Sequence, residues 1–94
     1  MAKTKSFAVL LTDTDPDARA KCRSRLRTAF PDAHELNDSA FLVSGALLTN
    51  QVAEKVGIKG DDRWCAGVVF KISRYYSGYT DGDTWEWLKR TEED

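Results

Sequence analysis

Three aspartates at alternate positions, Asp13, Asp15 and Asp17, come closest in type and spacing to a chemical site. Clustered carboxylates can hold a hard divalent cation such as Mg2+ or Mn2+ through oxygen, with Asp13 and Asp15 as ligands and Asp13 as the candidate catalytic group. The same residues have a structural account. Asp15 precedes Pro16 at a helix start, where its side chain accepts from free backbone N–H groups and proline suits the first helical position. The carboxylates also sit at the positive end of the helix dipole. The glycine and distal glutamate of an EF-hand loop are absent, so capping is preferred and no metal or other cofactor is called for.

A second candidate is basic. Arg19, Arg23 and Arg27 line one flank of the following helix and Lys21 and Arg25 the other, with no acidic residue between Ala18 and Pro31. Such a face can lie along phosphates, releasing counterions and making binding salt-dependent. The competing account is a solvated helix face whose long stems cover the edge of the core. His34 has no serine or cysteine nucleophile in a recognisable arrangement, and a cross-strand hydrogen bond suffices to explain it. Cys22 and Cys65 show no C-x-x-C spacing and have one histidine for company, which excludes a zinc set and favours buried free thiols. Tyr75, Tyr76, Tyr79, Trp85 and Trp87 could stack on a ligand, but aromatics that close a small core or an interface are the simpler reading.

The elements that must position these groups are legible in the alternation of apolar residues. A chain of 94 residues fits one domain, 1–94, with a core over 6–73 and an aromatic extension over 74–94. Lys+Arg 14 against Asp+Glu 15 leaves no global field to steer the protein to nucleic acid or a membrane. The apolar runs are too short to span a bilayer and the N-terminus reads as no signal peptide, so a cytoplasmic protein is expected. Residues 6–12 read as a strand apolar on both faces. Ala18, Cys22, Leu26, Ala29 and Phe30 form a helical stripe ending before Pro31. Residues 34–38 and 40–43 read as a hairpin turning at Asn37-Asp38-Ser39. Thr49 or Asn50 caps a short helix that stops at Gly57 in a left-handed conformation, with Ile58 as its hydrophobic contact.

The longest strand-like run starts at Trp64 and carries Ala66, Val68, Phe70 and Ile72 on one face, with Cys65, Gly67 and Val69 on the other. The order strand, helix, strand, strand, helix, strand predicts an α+β, ferredoxin-like βαββαβ sandwich: a four-stranded antiparallel sheet with two helices on one face. Phe7, Val9, Leu11, Phe41, Val43, Val68, Phe70 and Ile72 are expected to face those helices. Ala8, Leu10, Leu42, Gly67 and Val69 then face the other way, unusually apolar for a wet surface. A partner subunit or the tail must cover them. Asp83-Thr84-Trp85-Glu86 resembles a capping box and starts a short last helix, on which Trp85 and Leu88, three apart, form an anchor. Leu10, Leu42, Val69, Tyr79, Trp85 and Leu88 are thus the expected interface and anchor residues.

The segment FAVLLTDTDPDARAKCRSRLRTAF, followed by LNDSAFLVSGALL, resembles the small CRISPR-associated Cas-two-like ribonucleases and their ferredoxin-like relatives in toxin and antitoxin systems. That resemblance implies a metal site at a dimer interface with Asp13 as its aspartate, although Thr12 stands where that group carries an aromatic residue. The second half, with VAEKVGIKGD, GVVFKI, SGYT and WEWL, is similar to a family of small bacterial proteins ending in a Gly-Tyr and Trp-Glu-Trp-Leu signature, which implies no particular activity. No complete catalytic constellation is present. The expectation is a non-catalytic binding or regulatory module on a homodimeric scaffold with a protein partner. A metal-dependent endoribonuclease or nucleic-acid-binding protein using Asp13 is the alternative.

Overall fold

A computed structural model describes residues 4–60, 63–72 and 82–90. Strand β1 (Lys5–Leu11) leads into helix α1 (Pro16–Ala29), the hairpin strands β2 (His34–Asn37) and β3 (Ala40–Gly45), helix α2 (Thr49–Val56), strand β4 (Gly67–Ile72) and helix α3 (Gly82–Arg90). The four strands form one antiparallel sheet in the order β2-β3-β1-β4, the ferredoxin-like arrangement. Tyr79 lies outside the described residues.

Local chemistry sets the helix ends. Asp15 caps α1, its carboxylate accepting from Asp17 N–H at 3.0 Å, with Pro16 at the start. Helix α2 starts at Thr49, but neither Thr49 nor Asn50 is its cap. Gln51 instead reaches back, its Oε1 accepting from Leu48 N–H at 2.8 Å. Gly57 ends this helix at φ 88°, a left-handed conformation that disfavours a Cβ, and Ile58 N–H closes the motif on Ala53 C=O.

Two layers of side chains cover the sheet. Phe7, Val9, Leu11, Phe41 and Val43 are buried with Cys22 and Leu26 of α1, Val52, Ala53 and Val56 of α2, and Ile58 and Cys65. On the opposite face Leu42 is buried with Trp87 and Leu88 of α3, and Ala8, Ile72 and Trp85 pack around them. The molecule is therefore three layers deep, because the aromatic helix covers part of the face that the first two helices leave bare. Among the described residues, no helix is long and apolar enough to cross a membrane.

The face assignment of β4 is reversed from the sequence expectation. Val69 packs toward α1 and α2, while Val68 and Phe70 point away from them with Leu10 and are exposed. The register pairs Val9 with Val69 and Leu10 with Val68, so residues of β4 share a face with residues of like position on β1. Gly67 fixes this choice. A Cβ there would lie 2.7 Å from Leu10 O and 3.1 Å from Ile58 Cγ2, so the bare backbone is needed where β4 passes under Ile58. Cys65, two residues earlier, is already committed to the helix-side core. A strand with apolar residues on both faces is thus oriented by its smallest members, not its largest.

The main anchor of α3 is Trp87 rather than Trp85. Its ring is buried and its Nε1–H donates to Asp32 C=O at 2.9 Å, while Trp85 is only partly buried. His34 completes the attachment, with Nε2 at 2.8 Å from Thr84 Oγ1 and its ring 6.4 Å from that of Trp87. Truncating a buried aromatic costs about 3 to 5 kcal/mol, and each kcal/mol moves the midpoint of a domain this size by roughly 4 to 8 °C. Trp87→Ala is therefore expected to lower the thermal midpoint by more than about 10 °C, and Trp85→Ala by clearly less, as measured by circular dichroism melting.

Candidate binding surface

The carboxylates at the end of β1 are held in backbone contacts. Asp13 Oδ1 accepts from Asp15 N–H at 2.9 Å and Oδ2 from Ala66 N–H at 3.0 Å, tying the end of β1 to the approach of β4. The first of these bonds, then the second, with Arg19 adding a favourable charge, holds the Asp13 carboxyl below its ordinary value. Asp15 is engaged in capping. Among the described residues, no three His, Cys, Asp or Glu side chains are grouped so as to hold a metal ion. Both Asp13 oxygens are engaged by backbone N–H groups of the same chain. Asp13 serves as a strap across the end of the sheet.

The arginines of α1 are straps as well. Arg19 Nη1 donates to Asp13 C=O at 2.9 Å, Arg23 Nη1 to Asp38 C=O at 3.3 Å, and Arg27 Nη2 meets Glu35 Oε1 at 2.8 Å. Arg25 donates to Lys55 C=O at 2.9 Å and Glu54 C=O at 3.2 Å, satisfying the last carbonyls of α2, and its guanidinium lies 5.0 Å from the centre of the Trp64 ring. A guanidinium suits this use, since it stays charged and offers several N–H donors in a fixed plane. The basic flanks therefore bind α1 to three neighbouring segments. Cys22 and Cys65 are buried free thiols, and burial together with the adjacent Cys22 pushes the Cys65 thiol up to about 12.

The distinctive surface lies on the other side of the sheet. Helix α3 covers the part bearing Leu42, Ala8 and Ile72, and stops short of the corner where β1 and β4 carry Leu10, Val68 and Phe70. These three are 37%, 38% and 54% exposed, and they are contiguous, because Leu10 pairs with Val68 while Ala8 pairs with Phe70. Of the expected interface set, Leu10 belongs to this corner, Leu42 and Leu88 to the cluster under α3, and Val69 to the helix-side core. Val68 and Phe70 were not in that set. The fully apolar alternation of Ala66, Val68, Phe70 and Ile72 singles them out as a face, but not as an exposed one.

Comparison with known proteins brings no match: no family model, no curated protein and no solved structure matches the chain.

The strap role of Asp13 has a pH signature. Its folded carboxyl titrates below the unfolded value of 3.8, so above that value both states are ionised and the contribution is complete. As pH falls below it the unfolded state takes up the proton first, and the contribution shrinks until the folded carboxyl is protonated too. Urea melts across this acid range should show stability of the native protein falling more steeply than that of Asp13→Asn, which is expected to be the less stable of the two at neutral pH.

Proposed function

We propose that the chain is a non-catalytic protein-binding module that acts through the uncovered corner of its sheet on a homodimeric scaffold. The observation that carries this is the contiguous exposure of Leu10, Val68 and Phe70 on a face where the chain covers Leu42, Ala8 and Ile72 with its own helix. Supporting it, the groups that could serve other chemistry are engaged within the fold: Asp13 and Asp15 on backbone N–H groups, and Arg19, Arg23 and Arg27 on carbonyls and Glu35.

Magnitudes limit what the corner does alone. Full burial of a Val, Leu or Phe side chain is worth about 1.5 to 3 kcal/mol, and these three are already roughly half buried, so about half of that remains for each. Association costs on the order of 4 to 15 kcal/mol in lost freedom. Three side chains give at most a weak complex, so further contacts beside them must contribute.

Placing charge on this corner should abolish association without unfolding the domain. The double variant Leu10→Glu with Phe70→Glu is expected to keep its circular dichroism spectrum while losing the self-association, and any proteins retained on an affinity column, that the native protein shows. Native protein incubated with RNA or DNA and Mg2+ or Mn2+ is expected to leave the nucleic acid intact. Cleavage that disappears in Asp13→Ala would overturn the reading in favour of a nuclease, and association that survives both glutamates would remove the corner from it.

A further inference from the structure

Two nucleophilic groups of the helix-side core take no part in the binding surface, the free thiols of Cys22 and Cys65. Cys22 lies within α1 and is fully buried, while Cys65 lies on the approach to β4 with 4% of its surface exposed. One carbonyl gathers them. Gly57 C=O accepts from Trp64 N–H at 2.6 Å and from Cys65 N–H at 3.4 Å, and Cys22 Sγ approaches the same oxygen at 3.9 Å. The turn that stops α2 at Gly57 thus serves both cysteines, and their side chains also interact directly, thiol to thiol.

The fold does not depend on the two S–H protons. Cys22 Sγ donates to Gly57 C=O over a long contact and Cys65 Sγ to Ala66 C=O at 3.5 Å, and sulfur is a weak donor. If the Cys22 proton leaves, Gly57 C=O keeps the N–H groups of Trp64 and Cys65. If the Cys65 proton leaves, Ala66 C=O keeps Thr12 N–H at 2.9 Å and Asp13 N–H at 3.1 Å. Loss of both protons therefore leaves neither acceptor without a donor.

We infer that Cys22 and Cys65 are a reversible dithiol–disulfide pair, oxidised by a small disulfide such as oxidised glutathione to a cross-link between α1 and the approach to β4. Cys65, the less deeply buried of the two, gives up its proton, and its sulfur attacks the small disulfide, expelling one thiolate and leaving a mixed disulfide. Cys22, deprotonated in turn, attacks the Cys65 sulfur and expels the second thiolate. The two released thiolates take up the two protons, so the chain loses two electrons and the small disulfide gains them.

Rate and stability are set by different features of the site. Burial, then the adjacent Cys22, pushes the Cys65 thiol up to about 12, and Asp13 adds to this while Arg19 opposes it. The thiolate is scarce at neutral pH, and attack waits for the approach to β4 to open. Once formed, the bond closes a loop that holds β2, β3 and α2, which restricts the unfolded chain far more than the folded one, where the thiols already meet. The pair is a slow cross-link and not a rapid sensor. It lies on the helix side of the sheet, so it stands whether or not the Leu10, Val68 and Phe70 corner takes a partner.

Slow attack makes equilibrium the deciding measurement. The full chain, started both reduced and oxidised, is equilibrated at a pH of about 8.5 with mixtures of reduced and oxidised glutathione, in buffer and in urea that unfolds it, then quenched with acid and weighed by mass spectrometry. The expected product is a monomer lighter by two hydrogens. Its ratio to the dithiol form should be at least about tenfold higher in buffer than in urea at the same glutathione mixture. By linkage the bond then favours the folded state by the same factor, so oxidation should raise the thermal midpoint by more than about 5 °C, and dithiothreitol should reverse the rise. Cys22→Ala and Cys65→Ala, treated alike, are expected to show neither the product nor the rise. A disulfide ratio in buffer equal to or below that in urea would mean that the fold keeps the sulfurs apart, and would overturn the pair. An end state of mixed disulfides or of cross-linked dimers would overturn it equally.

Discussion

Strand β1 lies between β3 and β4 and carries apolar side chains on both faces, so the fold has to supply cover on two sides. Phe7, Val9 and Leu11 are buried by α1 and α2, which closes one side almost completely. Ala8 and Leu10 face the other way, where a two-helix sandwich would leave them wet. Helix α3 answers half of that demand through Trp87 and Leu88 over Leu42 and Ala8. What remains uncovered is not scattered, because antiparallel pairing sets Leu10 beside Val68 with Phe70 next along β4. The candidate binding surface is thus the residue of a coverage problem that the described helices solve only in part.

The polar groups that first suggest chemistry work at the seams of the same construction. A 94-residue chain has a modest core, so the ends of its elements need ties that a larger domain could forgo. Asp13 joins β1 to the approach of β4, Arg25 caps α2 from α1, and Arg23 and Arg27 reach from α1 to the hairpin. Each of these is a charge-assisted bond to a backbone group or a carboxylate, stronger than a neutral pair and useful where backbone donors or acceptors would otherwise lack partners. Surface exposure limits what a single one of them contributes, and the Arg27–Glu35 pair in particular is exposed at both side chains. Their value lies in fixing where the elements end and meet.

Much of this was legible in the chain. The order of elements follows from signals that act locally: Asp15-Pro16 starts a helix wherever it stands, Gly57 stops one, and the alternation from Phe7 to Leu11 marks a strand whose odd residues face the core. The orientation of β4 was not legible, because periodicity cannot rank two faces that are both apolar. Reading the larger set, Val68 and Phe70, as core is the natural choice, and it fails because Ile58 and Leu10 leave no room for a side chain at position 67. Trp85 and Leu88 pack in the cluster under α3 as expected, but the larger share taken by Trp87 was not legible for a similar reason. Helical spacing permits several arcs of α3 to face the sheet, and the choice is made by Asp32 and His34, about fifty residues away in the chain. The strap role of the basic flank is not legible in the sequence, because the carbonyls that accept from Arg19, Arg23 and Arg25 belong to other segments and leave no mark on it.

The placement of β4 carries the uncovered corner, and it can be read residue by residue from amide exchange in dilute native protein. Leu11 N–H donates to Ser39 C=O, so the odd residues of β1 bond toward β3 and the even ones toward β4. Their partners Val68, Phe70 and Ile72 donate inward to β1, so their amides should exchange slowly, while those of Gly67 and Val69 point away from β1 and should exchange fast. Alternation in that phase would confirm the face assigned to each residue of the strand. Slow exchange at Gly67 and Val69 with fast exchange at Val68 and Phe70 would mean that the strand is turned over, and the account of the corner would fall with it.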